Sequence, residues 1–353
     1  MNNRKKDTVL FINVTKQCNV ECTRCYLTKE NRSKKDLLPM DTLAKLIDHD
    51  FFKLNNVTVV WEGGEASLVG EKALIERIEL VKSLLPHAKQ TMVTNLLNLP
   101  DWLISITHKY FNSQFESTFA LGQKFTLSGD RDKYLEKFKR SLLKANENNI
   151  ICPVNIELNK ETYEAGTEAL VQFFEATNHK YWEFDISVDF KSFLDFPIYN
   201  EFKYPILNST ISYEQFSNFI IELHDKHADR LKKIGFESGI VRQAKESGGK
   251  NMAFNVERES DFITINPDGF ITTNPLFSDM QATFVGNINH VSADDIFNST
   301  IIQNRIRYER RRTIPCLSCE YYNVCGGGPS HAPLKDESGE CAGGYKIWKH
   351  YEN

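Results

Sequence analysis

The sequence predicts an α/β fold: an incomplete barrel of six βα units followed by a small cysteine-rich C-terminal domain. Three observations carry this. β-rich and helical stretches alternate six times within the first two hundred or so of the 353 residues, the pattern of a parallel sheet with crossover helices. Three of the eight cysteines crowd just past the first β-rich run. Four more lie near the C-terminus among glycines.

The elements follow in order. Thr8–Val14 reads as a short buried strand, and a loop carries Cys18, Cys22 and Cys25. Pro39–Phe52 has helical spacing, with Met40, Leu43, Leu46 and Ile47 on one face. Val57–Trp61 is the second strand, ended by Gly63–Gly64, and Glu71–Leu85 is its helix. Thr91–Thr94 and helix Asp101–Tyr110 form the third unit. Phe125–Ser128 with helix Asp130–Asn148 is the fourth, and Cys152–Leu158 with helix Thr162–Thr177 the fifth. Tyr181–Ser187 is the sixth strand. Ser212–Lys232 is an amphipathic helix, Ser247–Gly248–Gly249 a break, and Phe262–Thr273 a hairpin turning at Pro267–Asp268–Gly269. The expected organisation is a barrel over 1–205, a helical bridge over 206–261 and the cysteine-rich domain over 262–353.

Composition excludes several classes. Hydrophobic residues are 41% and charged residues 25%, ordinary for a globular chain. The net charge of −4 argues against a general nucleic-acid binder. No apolar run approaches membrane-spanning length, so no membrane partner is expected. The polar, basic start argues against a secretory signal, which points to a cytoplasmic, reducing location. Clustered thiols there hold metal or do redox chemistry more often than they pair as disulfides.

Cys18-x3-Cys22-x2-Cys25 can wrap three irons of a [4Fe–4S] cluster whose full ligation takes four cysteines. One iron is then left for an exogenous ligand, as a catalytic centre requires. The alternative is a structural zinc site. This loop after the first strand, with Glu62–Gly63–Gly64–Glu65 after the second, resembles the radical S-adenosylmethionine (SAM) superfamily. That resemblance implies a partial (β/α)6 TIM-like barrel. It implies cluster ligation by Cys18, Cys22 and Cys25, and SAM chelating the fourth iron. It also implies cleavage of S-adenosyl-L-methionine to a 5′-deoxyadenosyl radical. Gly63, Gly64 and Glu65 would bind the methionyl amine. Two positions depart from the pattern. Arg24 stands where an aromatic residue usually precedes the third cysteine, leaving Tyr26 as the aromatic offered to adenine, and Ala66 replaces a usual proline.

Strand alternation assigns the lumen. Trp182, Phe184, Ile186 and Val188 share one face and should meet the outer helices, which turns Glu183, Asp185 and Ser187 inward. On the fifth strand Val154, Ile156 and Leu158 face out with Cys152, a core thiol, and Asn155 and Glu157 face in. Ser128 ends the fourth strand on its polar face. Ser128 and Asn155 look like family SAM contacts. Asp185 and Glu183 are candidates for substrate contact or proton transfer.

Cys316-x2-Cys319-x5-Cys325-x15-Cys341 is a closed four-thiol set that suits zinc or a second [4Fe–4S] cluster. With the trailing Gly326–Gly328 it resembles the SPASM extension of radical SAM enzymes. Pro329 replaces one usual cysteine and Asn274 another, so one auxiliary cluster is expected, held by Cys316, Cys319, Cys325 and Cys341. The run Arg305, Arg307, Arg310, Arg311 and Arg312 reads as a solvated helix face, or as a dock for an acidic peptide or the cluster domain.

Enzymes with this extension mostly modify peptides. The leading expectation is maturation of a ribosomally made precursor peptide by hydrogen abstraction at a side-chain carbon and carbon–carbon cyclisation. Flavodoxin or ferredoxin would be the electron donor. The first strand starts close to residue 1, so no leader-binding domain is expected before it. The alternatives are a peptide epimerase or thioether-forming maturase, an aminocyclitol-type dehydrogenase, and a non-catalytic zinc-ribbon binding protein.

Overall fold

The computed structural model describes residues 7–189, 208–246, 262–309, 314–327, 341 and 344–352. The Ser247–Gly249 break, Arg310–Arg312, Gly328 and Pro329 lie outside the described residues.

Six parallel strands form the barrel wall in chain order: β1 (Asp7–Thr15), β3 (Asn56–Gly63), β4 (Lys89–Thr94), β5 (Glu116–Phe119), β7 (Val154–Leu158) and β8 (Trp182–Ile186). Crossover helices Glu71–Leu84, Asp101–Tyr110, Arg131–Glu147 and Lys160–Thr177 cover the outside. Burial follows the alternation on most of these strands. Leu10, Ile12, Val59, Trp61, Met92, Phe119, Val154, Ile156 and Leu158 are fully buried among the helices. Trp182 stacks on Phe174 of the last crossover helix, 4.6 Å between ring centroids. Cys152 is fully buried in the same apolar core.

The fourth unit is where the sequence reading fails. The barrel strand there is Glu116–Phe119, paired to Val93–Thr94 and to Val154–Ile156. The run placed as a barrel strand instead gives β6 (Lys124–Thr126), which pairs antiparallel with β2 (Val20–Cys22) in a separate ribbon. Ser128 is therefore exposed in the turn after that ribbon, its hydroxyl 2.8 Å from Thr126 Oγ1. The premise that it ends a lumenal strand is corrected. Two helices also divide. Pro39–Phe52 becomes Met40–Ile47 and Asp50–Lys53, because the His49 ring accepts from the Phe51 N–H and restarts the helix. Ser212 caps Tyr213–Lys226 through a capping box with Gln215, and the helix breaks at His227 before Ala228–Ile234.

The hairpin expected to open a separate domain continues the main sheet. β9 (Phe262–Ile265) lies parallel to β1, and β10 (Phe270–Thr272) and β11 (Gly286–Asn287) extend it antiparallel. Nine strands thus make one sheet. The bridge helices Tyr213–Lys226 and Gly239–Glu246 pack under the C-terminal helix Tyr345–Tyr351, whose Ile347 and Trp348 are buried. Lys346–Glu214 (2.9 Å) and His350–Asp225 (2.8 Å) border that contact. No helix among the described residues is long and apolar enough to cross a membrane.

The two faces of β8 should separate in denaturant melts. Trp182→Ala removes a buried ring and should cost about 3–5 kcal/mol. Glu183→Ala removes only an exposed acceptor and should cost about 1 kcal/mol.

Candidate functional site

The three cysteines of the first loop sit over the C-terminal edge of the strands, where barrels carry their chemistry. The loop leaves β1 at Thr15 and is tied down at each turn. The Cys18 N–H donates to Arg32 O (3.0 Å) and the Thr23 N–H to Gln123 O (3.0 Å). Arg24 forms a two-pronged pair with Glu161 at 3.2 and 3.3 Å. Arg32, buried, donates to Val20 O and to Glu21. The Thr28 N–H donates to Asp279 Oδ2 (2.6 Å), whose other oxygen pairs with Lys16 (2.8 Å).

The Gly63–Gly64 turn is pressed against the start of that loop. The Gly64 N–H donates to Thr15 O (3.0 Å) and the Glu65 N–H to Gln17 O (2.8 Å). A Cβ on Gly64 would lie 2.2 Å from Gln17 O and 2.3 Å from Lys16 O. One on Gly63 would lie 2.0 Å from Thr15 O, at a φ of +130°. The glycines are thus required by the approach of one strand end to another. The Tyr26 hydroxyl closes the same joint, donating to Gly63 O at 3.0 Å.

Glu65 has partners that its motif does not show. Its carboxylate is buried and already engaged. Ser67 Oγ (2.6 Å) and Thr94 Oγ1 (3.1 Å) donate to one oxygen, and the Asn95 N–H (2.8 Å) to the other. It locks the turn to the end of β4, where Asn95 reaches back to Asn19 (2.8 Å) and towards Cys18 Sγ (3.8 Å).

Burial raises the pKa of all three thiols, that of Cys25 up to about 11. Lys124, itself buried, opposes this at Cys22. Its ammonium donates to Thr118 O (2.6 Å) and to Thr118 Oγ1. Among the described residues no three Cys, His, Asp or Glu side chains converge on a single-ion site. The loop also presents three thiols with no fourth ligand, so the residues fit a cluster with one open iron.

The lumen below is polar and under-satisfied. Asn155 donates to Asp185 across β7 and β8, which leaves Asn155 Oδ1 buried without a partner. Glu157 accepts from Gln123 at 2.8 Å. Buried Thr91 Oγ1, Asn13 Oδ1, Thr264 Oγ1 and Glu62 Oε1 also have no partner. Glu183 stands apart from this set. It is exposed near the start of β8 and accepts the Gly239 N–H (2.9 Å), holding the first turn of helix Gly239–Glu246. The structure therefore brings together Cys18, Cys22, Cys25, Gly63, Gly64, Glu65 and Tyr26 around the loop, and Asn155 and Asp185 in the lumen. It leaves Ser128 and Glu183 aside.

Lys124 and Asn95 were not singled out from sequence, and Glu62 was quoted only as the first residue of its motif, with no role. The strand parity used on β7 and β8 finds Glu62: Val57, Val59 and Trp61 face out, so Glu62 faces in. Burial, and then repulsion from Glu116, push its carboxyl up to about 8.

In the second set, Cys316 and Cys325 are buried, and Cys319 and Cys341 are half-buried. The Cys319 N–H donates to Cys316 O (3.0 Å) and the Cys325 N–H to Tyr321 O (2.8 Å). Gly326 ends this turn in the left-handed region.

An open parallel barrel with a thiol loop on its rim and a polar lumen defines a cofactor-binding scaffold. No family model matches the chain. A cysteine-type anaerobic sulfatase-maturating enzyme of Clostridium novyi is 21% identical over 340 residues, covering 92% of this chain and 88% of that protein. Among solved structures, anSMEcpe with bound AdoMet superposes with a TM-score of 0.72 at 15% identity, covering 98% of this chain and 93% of that one. Streptococcus suis SuiB bound to precursor peptide SuiA gives 0.58 at 16% identity, covering 92% and 72%. The chain has the radical SAM fold with a smaller SPASM-like C-terminal region.

Two tests follow. Gly64→Ala should lower the iron retained after anaerobic reconstitution, because its Cβ would overlap Gln17 O and Lys16 O. Glu62 is held protonated in the folded chain, so its contribution is full below the ordinary carboxylate pKa and lost as pH rises through about 8. Wild-type stability should therefore fall against Glu62→Gln over that window, by about 1.4 kcal/mol per pH unit at most, read from urea melts at each pH.

Proposed function

We propose that this chain is a radical SAM oxidoreductase that modifies a ribosomally made peptide. The observation that carries the reading is the three-thiol loop over the C-terminal rim, joined through Gly63–Gly64 to a lumen lined with unpartnered polar atoms. Cys18, Cys22 and Cys25 would hold the SAM-binding [4Fe–4S] cluster, and Cys316, Cys319, Cys325 and Cys341 an auxiliary one. A cluster held there would supply the electron for reductive cleavage of bound SAM, and with it the capacity to take a hydrogen atom from an unactivated carbon.

The chain's own residues set the place and the surroundings. The Gly63–Glu65 turn offers backbone groups to the methionyl end, since the Glu65 carboxylate is occupied. Tyr26, anchored on Gly63 O, stands beside the loop where adenine would pack. Asn155 keeps one acceptor free towards the cofactor. Asp185, linked to Asn155, is the lumenal carboxylate placed for proton transfer. Lys124 puts a buried positive charge beside Cys22, which favours a reduced cluster. Glu183, as a helix cap, takes no part in this reading.

A peptide substrate draws support from neighbours whose titles name one: SuiB with precursor peptide SuiA, and anSMEcpe with AdoMet and Cp18Cys peptide. Within this class we favour hydrogen abstraction at a side-chain carbon and carbon–carbon ring closure, with a flavodoxin or ferredoxin as donor. The Clostridium novyi relative, matched over most of both chains, favours a second reading: oxidation of one residue in a protein substrate, without a ring.

The test is anaerobic turnover of the reconstituted protein with SAM, dithionite and the short peptide encoded beside its gene. 5′-Deoxyadenosine should form, and the peptide should lose two hydrogens with one new cross-link in its fragmentation map. Loss of two hydrogens at a single residue would favour the second reading. Cys18→Ala should lower 5′-deoxyadenosine formation by about 100-fold or more, because the cluster loses a ligand. Formation of 5′-deoxyadenosine at an undiminished rate in that variant would overturn the assignment.

A further inference from the structure

The crossover helix Arg131–Glu147 backs directly onto the three-thiol loop. Tyr134, in its first turn, is fully buried, and its hydroxyl donates to Asn95 O at 3.5 Å. Asn95 Nδ2 in turn reaches towards Cys18 Sγ at 3.8 Å, so two contacts link the helix to a thiol. The strand leading into the helix arrives at the same place. In the β2–β6 ladder Lys124 stands opposite Cys22, and Thr126 opposite Val20. The end of β6 is thus two residues along the ladder from Cys22, roughly 7 Å. An electron crosses such a span without a further cofactor.

The outward side of this helix has its charges sorted. Lys133, Lys137, Arg140 and Lys144 recur at helical spacing and form one stripe. Asp132, Glu136 and Glu147 fall on the adjoining flank, so the stripe itself carries no carboxylate. Lys144 is spent on Leu99 O (2.8 Å) and Asp101 (2.6 Å). Lys133, Lys137 and Arg140 have no ion-pair partner among the described residues. Lys133 and Arg140 are exposed and Lys137 is half-buried. At the end of the stripe nearer the thiols, Leu127 is 66% exposed in the turn before the helix. That turn is fixed: the Thr126 N–H donates to Asp130 O (3.1 Å), and Asp130 Oδ1 accepts from the Lys133 N–H (2.9 Å). An exposed leucine beside three unpaired cations, on a chain of net charge −4, complements an acidic protein surface. The stripe lies outside the barrel, whereas a substrate reacts in the lumen. A partner seated here reaches the thiols and not the substrate.

We propose that Leu127, Lys133, Lys137 and Arg140 form the docking surface for a small acidic one-electron carrier protein. This places the electron donor on the molecule, and it rests on the reading above for what the thiols hold. The carrier is oxidised by one electron and the cluster held by Cys18, Cys22 and Cys25 is reduced by one; no atom is transferred. Tyr134 and Asn95 give the contact path inward from the helix.

The probe is a flavodoxin hydroquinone, mixed anaerobically in stopped flow with the oxidised, reconstituted protein and SAM. The readout is flavin oxidation to the semiquinone, not turnover. The second-order rate constant should fall about tenfold or more between about 0.02 M and about 0.3 M salt. Lys133→Glu, Lys137→Glu and Arg140→Glu combined should lower it about tenfold or more at low salt and abolish the salt dependence, with iron content unchanged. Photoreduced deazaflavin, which needs no docking, should reduce wild type and variant at equal rates. Lys72→Glu, Lys232→Glu and Lys233→Glu combined change the net charge equally at exposed positions elsewhere, and should leave the flavodoxin rate within about twofold. A flavodoxin rate indifferent to salt, undiminished in the first variant, or equally lowered in both variants would overturn the proposal. A protein that neither reductant reduces would overturn the cluster reading and this proposal with it. Reduction by flavodoxin with SAM left intact would retain this surface and lose the radical reading.

Discussion

The backbone of Gly63–Gly64 lies against the carbonyls of Thr15, Lys16 and Gln17, and the arrangement of the rim depends on that contact. No side chain fits between the two strand ends. Because they meet, Cys18 begins its loop directly above the turn, and Tyr26 can reach back to Gly63 O. Glu65 then carries the constraint on to β4 through Thr94 and Asn95, and Asn95 returns it to the loop at Asn19. The three-thiol loop is short and has no regular structure over most of its length. It holds its shape because it is braced from β3, β4, the Gln123 turn and the Asp279 segment.

That bracing leaves the lumen free to be poorly satisfied. A stable barrel core would bury apolar layers. Here the inner face carries Glu62, Asn13, Thr91, Thr264 and Asn155, each with a buried atom lacking a partner. Most of the outer face, from Leu10 to Trp182, is buried and apolar, and it supplies the stability that the inner face does not.

Much of this was legible in the chain. Cysteine spacing located the first loop, and the two-residue period sorted Trp182 from Asp185 and Val154 from Asn155. The errors have physical causes. Phe125–Ser128 has stronger β character than Glu116–Phe119, but its ladder partner is Val20–Cys22, a hundred residues earlier, and pairing at that distance leaves no local mark. Glu183 was given to the lumen because parity is blind to depth. Its contact is Gly239, 56 residues on. The motif shows Glu65 but not Ser67, Thr94 and Asn95, which close on its carboxylate from later in the chain. The bridge helices matched nothing familiar in sequence; in the fold they seat the C-terminal helix against the barrel.

The central claim is that Cys18, Cys22 and Cys25 hold a cluster with one iron open to SAM. The most direct measurement is electron paramagnetic resonance of the anaerobically reconstituted, reduced protein, recorded with and without SAM carrying a nitrogen-15 amine. The account predicts a cluster signal that shifts on adding SAM and shows hyperfine coupling to the labelled amine. It also predicts that both effects vanish in Cys18→Ala. A signal indifferent to SAM, or zinc in place of iron on the loop, would contradict it.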